Sequence, residues 1–211
     1  YTRQMNLPTI EEKLTLSESP ILSLLIPTLL TRKTLFEELI SEINRQIESL
    51  NAEGRVQICS LSDDRQMSIG EKRNRLLGMA TGDYTAFIDD DDQIGRDYIR
   101  LILEALDKNP DVVGITGEIT MNINGRGTVR RKFYHTIENK VYRTSIRGYE
   151  RPPNHLNPMR RSIALVYQFI DKSHGEDTDW AMRICRGGIL KSEIFIDKPI
   201  YFYNFNPNKN Y

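Results

Sequence analysis

The apolar positions of this chain change their period in a repeating way. Residues 21–26 form an apolar run closed by Pro27 and Thr28. Such a run suits a strand buried on both faces, and proline cannot donate to a ladder, so a central parallel strand is predicted to stop there. Leu35, Phe36, Leu39, Ile40, Ile43, Ile47 and Leu50 then recur at helical spacing. They predict a helix over about 32–50, with Thr34 and Glu37 as its capping box. Residues 55–61 alternate as a second strand and end at Ser62, Asp63 and Asp64. Residues 70–80 read as a helix, and residues 84–88 as a short buried strand entered through Gly82 and Asp83. Tyr98, Ile99, Leu101, Ile102, Ala105 and Leu106 mark another helix. Three strand and helix units in series predict a parallel sheet with right-handed crossovers.

Beyond Asp111 the pattern turns antiparallel. Residues 111–122 read as a long strand, Asn124 and Gly125 as a hairpin turn, and residues 128–134 as the returning strand. Residues 160–170 also look strand-like. Glu176, Asp177 and Asp179 open a helix whose apolar face is Trp180, Ala181, Ile184 and Cys185, closed by Gly187 and Gly188. Residues 194–196 and 200–205 predict final strands separated by Pro199. The whole reads as an α/β domain with a mixed sheet flanked by helices over 21–205, preceded by an extension over 1–20.

At 211 residues, 39% hydrophobic and formally uncharged, the chain suits one globular domain, and no apolar run is long enough to span a membrane. Cys59 and Cys185 lack metal-ligand spacing and read as reduced core thiols, which fits a cytoplasmic location or one peripheral to a membrane. Charge is unevenly placed. Residues 126–161 hold ten Lys or Arg against Glu138 and Glu150. Phe133, Tyr134, Tyr142 and Tyr149 are interleaved, as a polyanion-binding surface or a solvated face would have them.

The chemistry is concentrated at strand ends. Asp89, Asp90, Asp91 and Asp92 follow the buried strand at its carboxyl end, where open α/β sheets bind ligands. An acidic run is ordinarily a solvated loop, but four adjacent carboxylates repel one another unless a cation sits among them. Their hard oxygens suit Mg²⁺ or Mn²⁺ carrying a phosphorylated ligand. A calcium loop counted from Asp90 fails, since Ile94 and Leu101 occupy ligand positions. Lys72, Arg73 and Arg75 at a helix start oppose the macrodipole, which asks for phosphate or the acidic clusters as partners unless they form a solvated helix face. Acids at the start of the last helix are favoured by the dipole alone.

Taken in order, IPTL, SDD, GEKRN, GDYTAFIDDDD and GEDTDWAMR resemble glycosyltransferase family 2 over about residues 21–187. The resemblance implies the GT-A fold, with a nucleotide-binding half over about 21–110 and an acceptor half over about 111–205. It also implies a nucleotide-sugar donor, usually UDP-linked, a divalent metal and inversion at the anomeric carbon. Pro27 and Thr28 would line the nucleoside pocket, Asp63 or Asp64 would accept from the base, and Lys72 and Arg73 would lie near the nucleotide. Asp89 and Asp91 match the outer positions of the family's DXD motif, with Asp91 as direct metal ligand and Asp90 on ribose or donor sugar. The run of four leaves that register open. Asp177 of the Glu176 and Asp177 pair matches the catalytic base. Trp180 would wall the acceptor site, with Asp179 and His155 on that side. No His follows Asp177 as a further metal ligand, and His155 and His174 read as structural.

The basic segment implies an acceptor bearing phosphate, on a glycan, a lipid or a nucleic acid. Two other classes compete. A sugar-nucleotide nucleotidyltransferase would carry a glycine-rich loop after the first strand, where this chain reads PTLLTRKT. A non-catalytic sugar or nucleic-acid binding module would not need the acidic metal and base positions.

Overall fold

The structure, a computed structural model, describes residues 19–122 and 127–205. The first 18 residues and the hairpin turn predicted at Asn124 and Gly125 lie outside the described residues. The chain runs β1 (Leu22–Leu29), a 3₁₀ turn (Leu30–Arg32), α1 (Lys33–Ser49), β2 (Val56–Asp63), α2 (Ile69–Met79), β3 (Tyr84–Phe87), β4 (Gln93–Ile94) and α3 (Tyr98–Leu106). Then come β5 (Val112–Asn122), β6 (Thr128–His135), β7 (Arg143–Thr144), β8 (Tyr149–Arg151), β9 (Met159–Arg160), α4 (Arg161–Ala164), α5 (Glu176–Gly187) and β10 (Glu193–Phe205).

β1 pairs in parallel with β2 on one side and β3 on the other, as the strand and helix pattern predicts. β5 pairs antiparallel with β6 and parallel with β10, so the sheet is mixed. Side chains alternate across it. Leu22, Leu24 and Ile26 join the core formed with α1 and α3, while Leu25 joins Leu76, Leu77, Trp180 and Ile184 from α2 and α5. Helices on both faces of a largely buried sheet give one continuous domain.

Four local expectations need correction. β1 continues through Pro27 and Thr28 to Leu29. Leu25 O accepts from Ile88 N, so Pro27, two residues on, turns its missing donor toward the side where β3 has ended. The capping box at Thr34 does not form, because the helix begins one residue earlier out of the 3₁₀ turn and no side chain caps it. Residues 160–170 are a two-residue strand, a short helix and turns. β9 is pinned between β3 and β5, after which Arg161 N donates to Asp83 O and the chain leaves the sheet. Pro199 does not break the last strand, since register shifts on either side of it absorb its missing donor within β10.

Candidate active site

The carboxyl ends of β1 and β3, the β2–α2 loop and the start of α5 open into one cleft of about 470 Å³. Its opposite wall comes from β5, β6, β8 and β10 through Ile119, Phe133, His135, Tyr149, Arg151 and Tyr203.

α2 explains its own basic start. Ser68 accepts from Glu71 N as N-cap, and Gly70 approaches so closely that an added Cβ would lie 1.9 Å from Ile170 O. This docks the helix start against the segment leading to α5 and turns Lys72 and Arg73 inward, both buried. Lys72 Nζ donates to Thr28 O at 2.7 Å and pairs with Asp63. Arg73 donates to Asp89 at 3.1 Å and to Glu176 at 3.3 Å, with its guanidinium 5.1 Å from the Phe87 ring centroid. Arg75 points elsewhere, into solvent beside Glu71.

The four aspartates have separate environments. Asp89 faces Arg73 and His155. Burial raises its carboxyl, but the Arg73 and His155 charges outweigh that and hold it well below the usual carboxylate range. Asp90 is buried and accepts from Thr28 Oγ1 at 2.7 Å and Arg32 at 2.9 Å, yet burial still leaves its carboxyl raised. Asp91 lines the cleft 3.3 Å from Arg32. Asp92 accepts from the Tyr201 hydroxyl at 2.8 Å, and that same hydroxyl accepts from Asp89 N.

Gly175 adopts a left-handed conformation at φ 76° to start α5, and the turn sets Glu176 and Asp177 at the cleft. Burial raises the Asp177 carboxyl. The His155 and Arg73 charges and the Thr178 N–H, donating at 2.7 Å, outweigh it and keep it below the usual range. His155, buried, presents Nε2 3.7 Å from Asp89 and Nδ1 3.7 Å from Asp177.

The structure thus gathers Pro27, Thr28, Lys72, Arg73, Asp89, Asp90, Asp91, His155, Glu176 and Asp177 around one cleft, with His174 on its lining. It places others differently. Asp63 is consumed by Lys72 and Met67 N, Asp64 is exposed, and the β2–α2 loop lends the cleft Arg65 and Met67 instead. Trp180 stacks on Phe169 in the core with its indole N–H on Tyr167 O, because the apolar face of α5 turns inward. Asp179 points out and pairs with Arg183. Arg160 and Arg161 bond to Asn109 and Gly82 at the amino ends of the strands, away from the cleft. Arg126 lies outside the described residues. Arg130, Arg131 and Lys132 are exposed on β6. Arg151 is the cation of the basic segment that, among the described residues, lines the cleft, while Arg32, Tyr201, His135 and Asn154 join the site without a sequence signal, since their partners are remote along the chain.

The donor set at the aspartates is all oxygen, which fits Mg²⁺ or Mn²⁺. Among the described residues no group of three or more His, Cys, Asp or Glu converges as a metal cage. Mg²⁺ commonly needs only one or two carboxylates, with water and substrate phosphate completing its shell.

The sequence profile described as Glycosyl transferase family 2 matches residues 40–163, more than half of the chain. No curated protein matches the sequence. Among solved structures, S. aureus TarS superposes with a TM-score of 0.58 at 19% identity, over 88% of this chain and 37% of that one. TarS 1–349 in complex with UDP-GlcNAc gives a TM-score of 0.55 at 17% identity, over 89% of this chain and 59% of that one. TarS 1–349 in complex with UDP gives a TM-score of 0.57 at 18% identity, over 88% and 61%. At these identities the likeness is one of fold, and the chain spans less than two thirds of each neighbour's length.

Proposed function

The chain belongs to glycosyl transferase family 2, and from that premise we propose that it moves a sugar from a UDP-sugar to an acceptor hydroxyl, with inversion and with help from a divalent cation. The observation that carries this reading is the Asp177 carboxylate, held ionised at the cleft in which the aspartate run and two buried cations also meet.

In the proposed step the acceptor oxygen attacks the anomeric carbon and its proton passes to an Asp177 carboxylate oxygen. The bond from that carbon to the diphosphate oxygen breaks, and its electron pair leaves with UDP. In-line displacement requires the base and the leaving group to face the anomeric carbon from opposite sides. Asp177 stays deprotonated at neutral pH, which suits a base rather than an acid. Thr28, Asp90, Arg32, Lys72 and Arg73 form a rigid polar floor for the nucleotide, the last two already oriented by carboxylates. Asp91, with Asp89, would hold Mg²⁺ or Mn²⁺, which supplies positive charge to offset the diphosphate. A fold shared with a protein solved with UDP-GlcNAc and UDP supports the choice of donor class. The exposed Arg130, Arg131 and Lys132 support a phosphate-bearing acceptor.

Calorimetric titration with UDP, with and without Mn²⁺ and with Asp91→Ala, tests the reading. Metal-dependent binding lost in the variant is expected, and equal affinity in all three conditions removes the metal role.

A further inference from the structure

On the wall of the cleft formed by β6, His135 Nε2 is a buried polar atom with no hydrogen-bond partner among the described residues. Asn157 Nδ2 donates to Val113 O at 2.9 Å, and its Oδ1 accepts from Asn154 N at 3.0 Å. Those two bonds fix the amide's orientation, so the His135 Nδ1 atom, 3.2 Å from that Oδ1, must carry a hydrogen and donate. Nε2 on the opposite edge of the ring is then a bare lone pair. Among the described residues it has no hydrogen-bond partner, although the residue is 1% exposed and lines the cleft. Burial, with the Arg151 charge, pushes the imidazole down to about 3, so at neutral pH nothing converts that lone pair into a donor.

Buried polar atoms in native proteins are nearly always satisfied, and one left open at a cleft wall asks for its partner from outside. The surroundings narrow the partner. The His135 ring packs against Phe133 with centroids 4.6 Å apart, and Tyr149 and Arg151 line the same wall. Phosphate oxygens, being acceptors when ionised, would meet a lone pair with repulsion. A hydroxyl or amide N–H of a sugar, lying beside aromatic rings, meets it with a hydrogen bond.

We infer that His135 Nε2 is a specificity-determining acceptor for a hydroxyl or amide N–H of a carbohydrate bound in the cleft. The inference rests on the glycosyl-transfer reading and adds a sugar contact on β6. That group could belong to the donor's sugar or to the acceptor, and the experiment separates them. His135→Phe removes the lone pair and keeps a flat ring.

With Mn²⁺ present, UDP and UDP-GlcNAc are titrated into both proteins, and transfer to a panel of free monosaccharides and polyols is measured at saturating UDP-GlcNAc. If the donor supplies the group, the variant keeps its UDP affinity and loses about tenfold for UDP-GlcNAc, the scale of one desolvated hydrogen bond. If the acceptor supplies it, both titrations are unchanged and the acceptor KM rises about tenfold. A variant that matches wild type in all three measurements, or that loses UDP and UDP-GlcNAc affinity equally, overturns the inference while leaving glycosyl transfer standing. Failure of the wild type to bind UDP overturns that reading, and this one with it.

Should His135→Phe not fold, ¹⁵N-histidine NMR of the wild type decides. An unprotonated Nε2 whose resonance moves with UDP-GlcNAc or with a panel sugar, but not with UDP, is expected. A protonated Nε2, or one that ignores every sugar, refutes the assignment.

Discussion

His155 Nδ1 lies 3.7 Å from Asp177 Oδ2, inside a wall of aromatic and polar side chains that leaves the carboxylate facing the cleft. The ring's other nitrogen is as near to Asp89, so the proposed base and the first aspartate of the acidic run share one rigid neighbour. This juxtaposition makes Asp177 the first target for mutation.

Asp177→Asn keeps the size and the Thr178 contact but cannot take a proton. Transfer should fall about 10²- to 10⁴-fold, the usual scale for a positioned base, with UDP affinity unchanged. Because the carboxyl is held below its usual range, the acid limb of kcat due to Asp177 should lie at lower pH than that of an ordinary aspartate. Steady-state rates and calorimetry check both. Near-normal turnover would move the base to Glu176.

Arg73 joins α2 to both the aspartate run and α5 through Asp89 and Glu176, with its side chain only 5% exposed. Arg73→Met should destabilise the fold by about 3–5 kcal/mol, because the buried Glu176 and the half-buried Asp89 lose their cation. Urea denaturation at pH 7 measures it, and a loss below about 1 kcal/mol would mean that water replaces the guanidinium.

His135 gives a pH prediction of definite sign. Its folded value of about 3 lies below the ordinary 6.5, so the unfolded chain binds the extra proton in between. Its stabilising contribution is complete above about pH 6.5 and shrinks as pH falls toward 3, by about 1.4 kcal/mol per unit. Between pH 6.5 and 5 the wild type should therefore lose about 2 kcal/mol that His135→Phe does not, as judged by paired urea titrations. Parallel losses in the two proteins would show that the ring takes up its proton as readily in the folded chain as in the unfolded one.

Arg130 and Arg131 stand exposed on β6 beyond the cleft wall. If the acceptor bears phosphate, its affinity should drop steeply as the Debye length shortens from about 10 Å at 0.1 M salt to about 3 Å at 1 M, while UDP affinity changes less. Changing both residues to Ala should abolish most of that slope. A flat salt response in the wild type would make the strand a solvated face.

Much of this could be read along the chain because it is local. Apolar runs and helical spacing placed β1, β2, β3, α1, α2 and α3, and the aspartate run declared itself by adjacency at the end of a buried strand. The inverted charge at the start of α2 left phosphate, carboxylates or solvent open as partners, and Lys72 and Arg73 proved to meet Asp63 and Asp89 while Arg75 faces solvent. What sequence periodicity cannot carry is which carboxylate meets which cation. Asp63 was consumed by Lys72, nine residues away, and so turned from the cleft, while Asp90 was claimed by Arg32 from 58 residues off. Trp180 shows the same limit, since an amphipathic helix tells which residues share a face but not whether that face meets core or cleft. The sequence by itself determined the sheet, its helices and the edge where the chemistry gathers, because hydrophobic burial follows from neighbours a few residues apart. Only the tertiary structure decided the setting of Asp177 and the bare lone pair of His135, because each depends on remote strands and loops brought within a few ångströms.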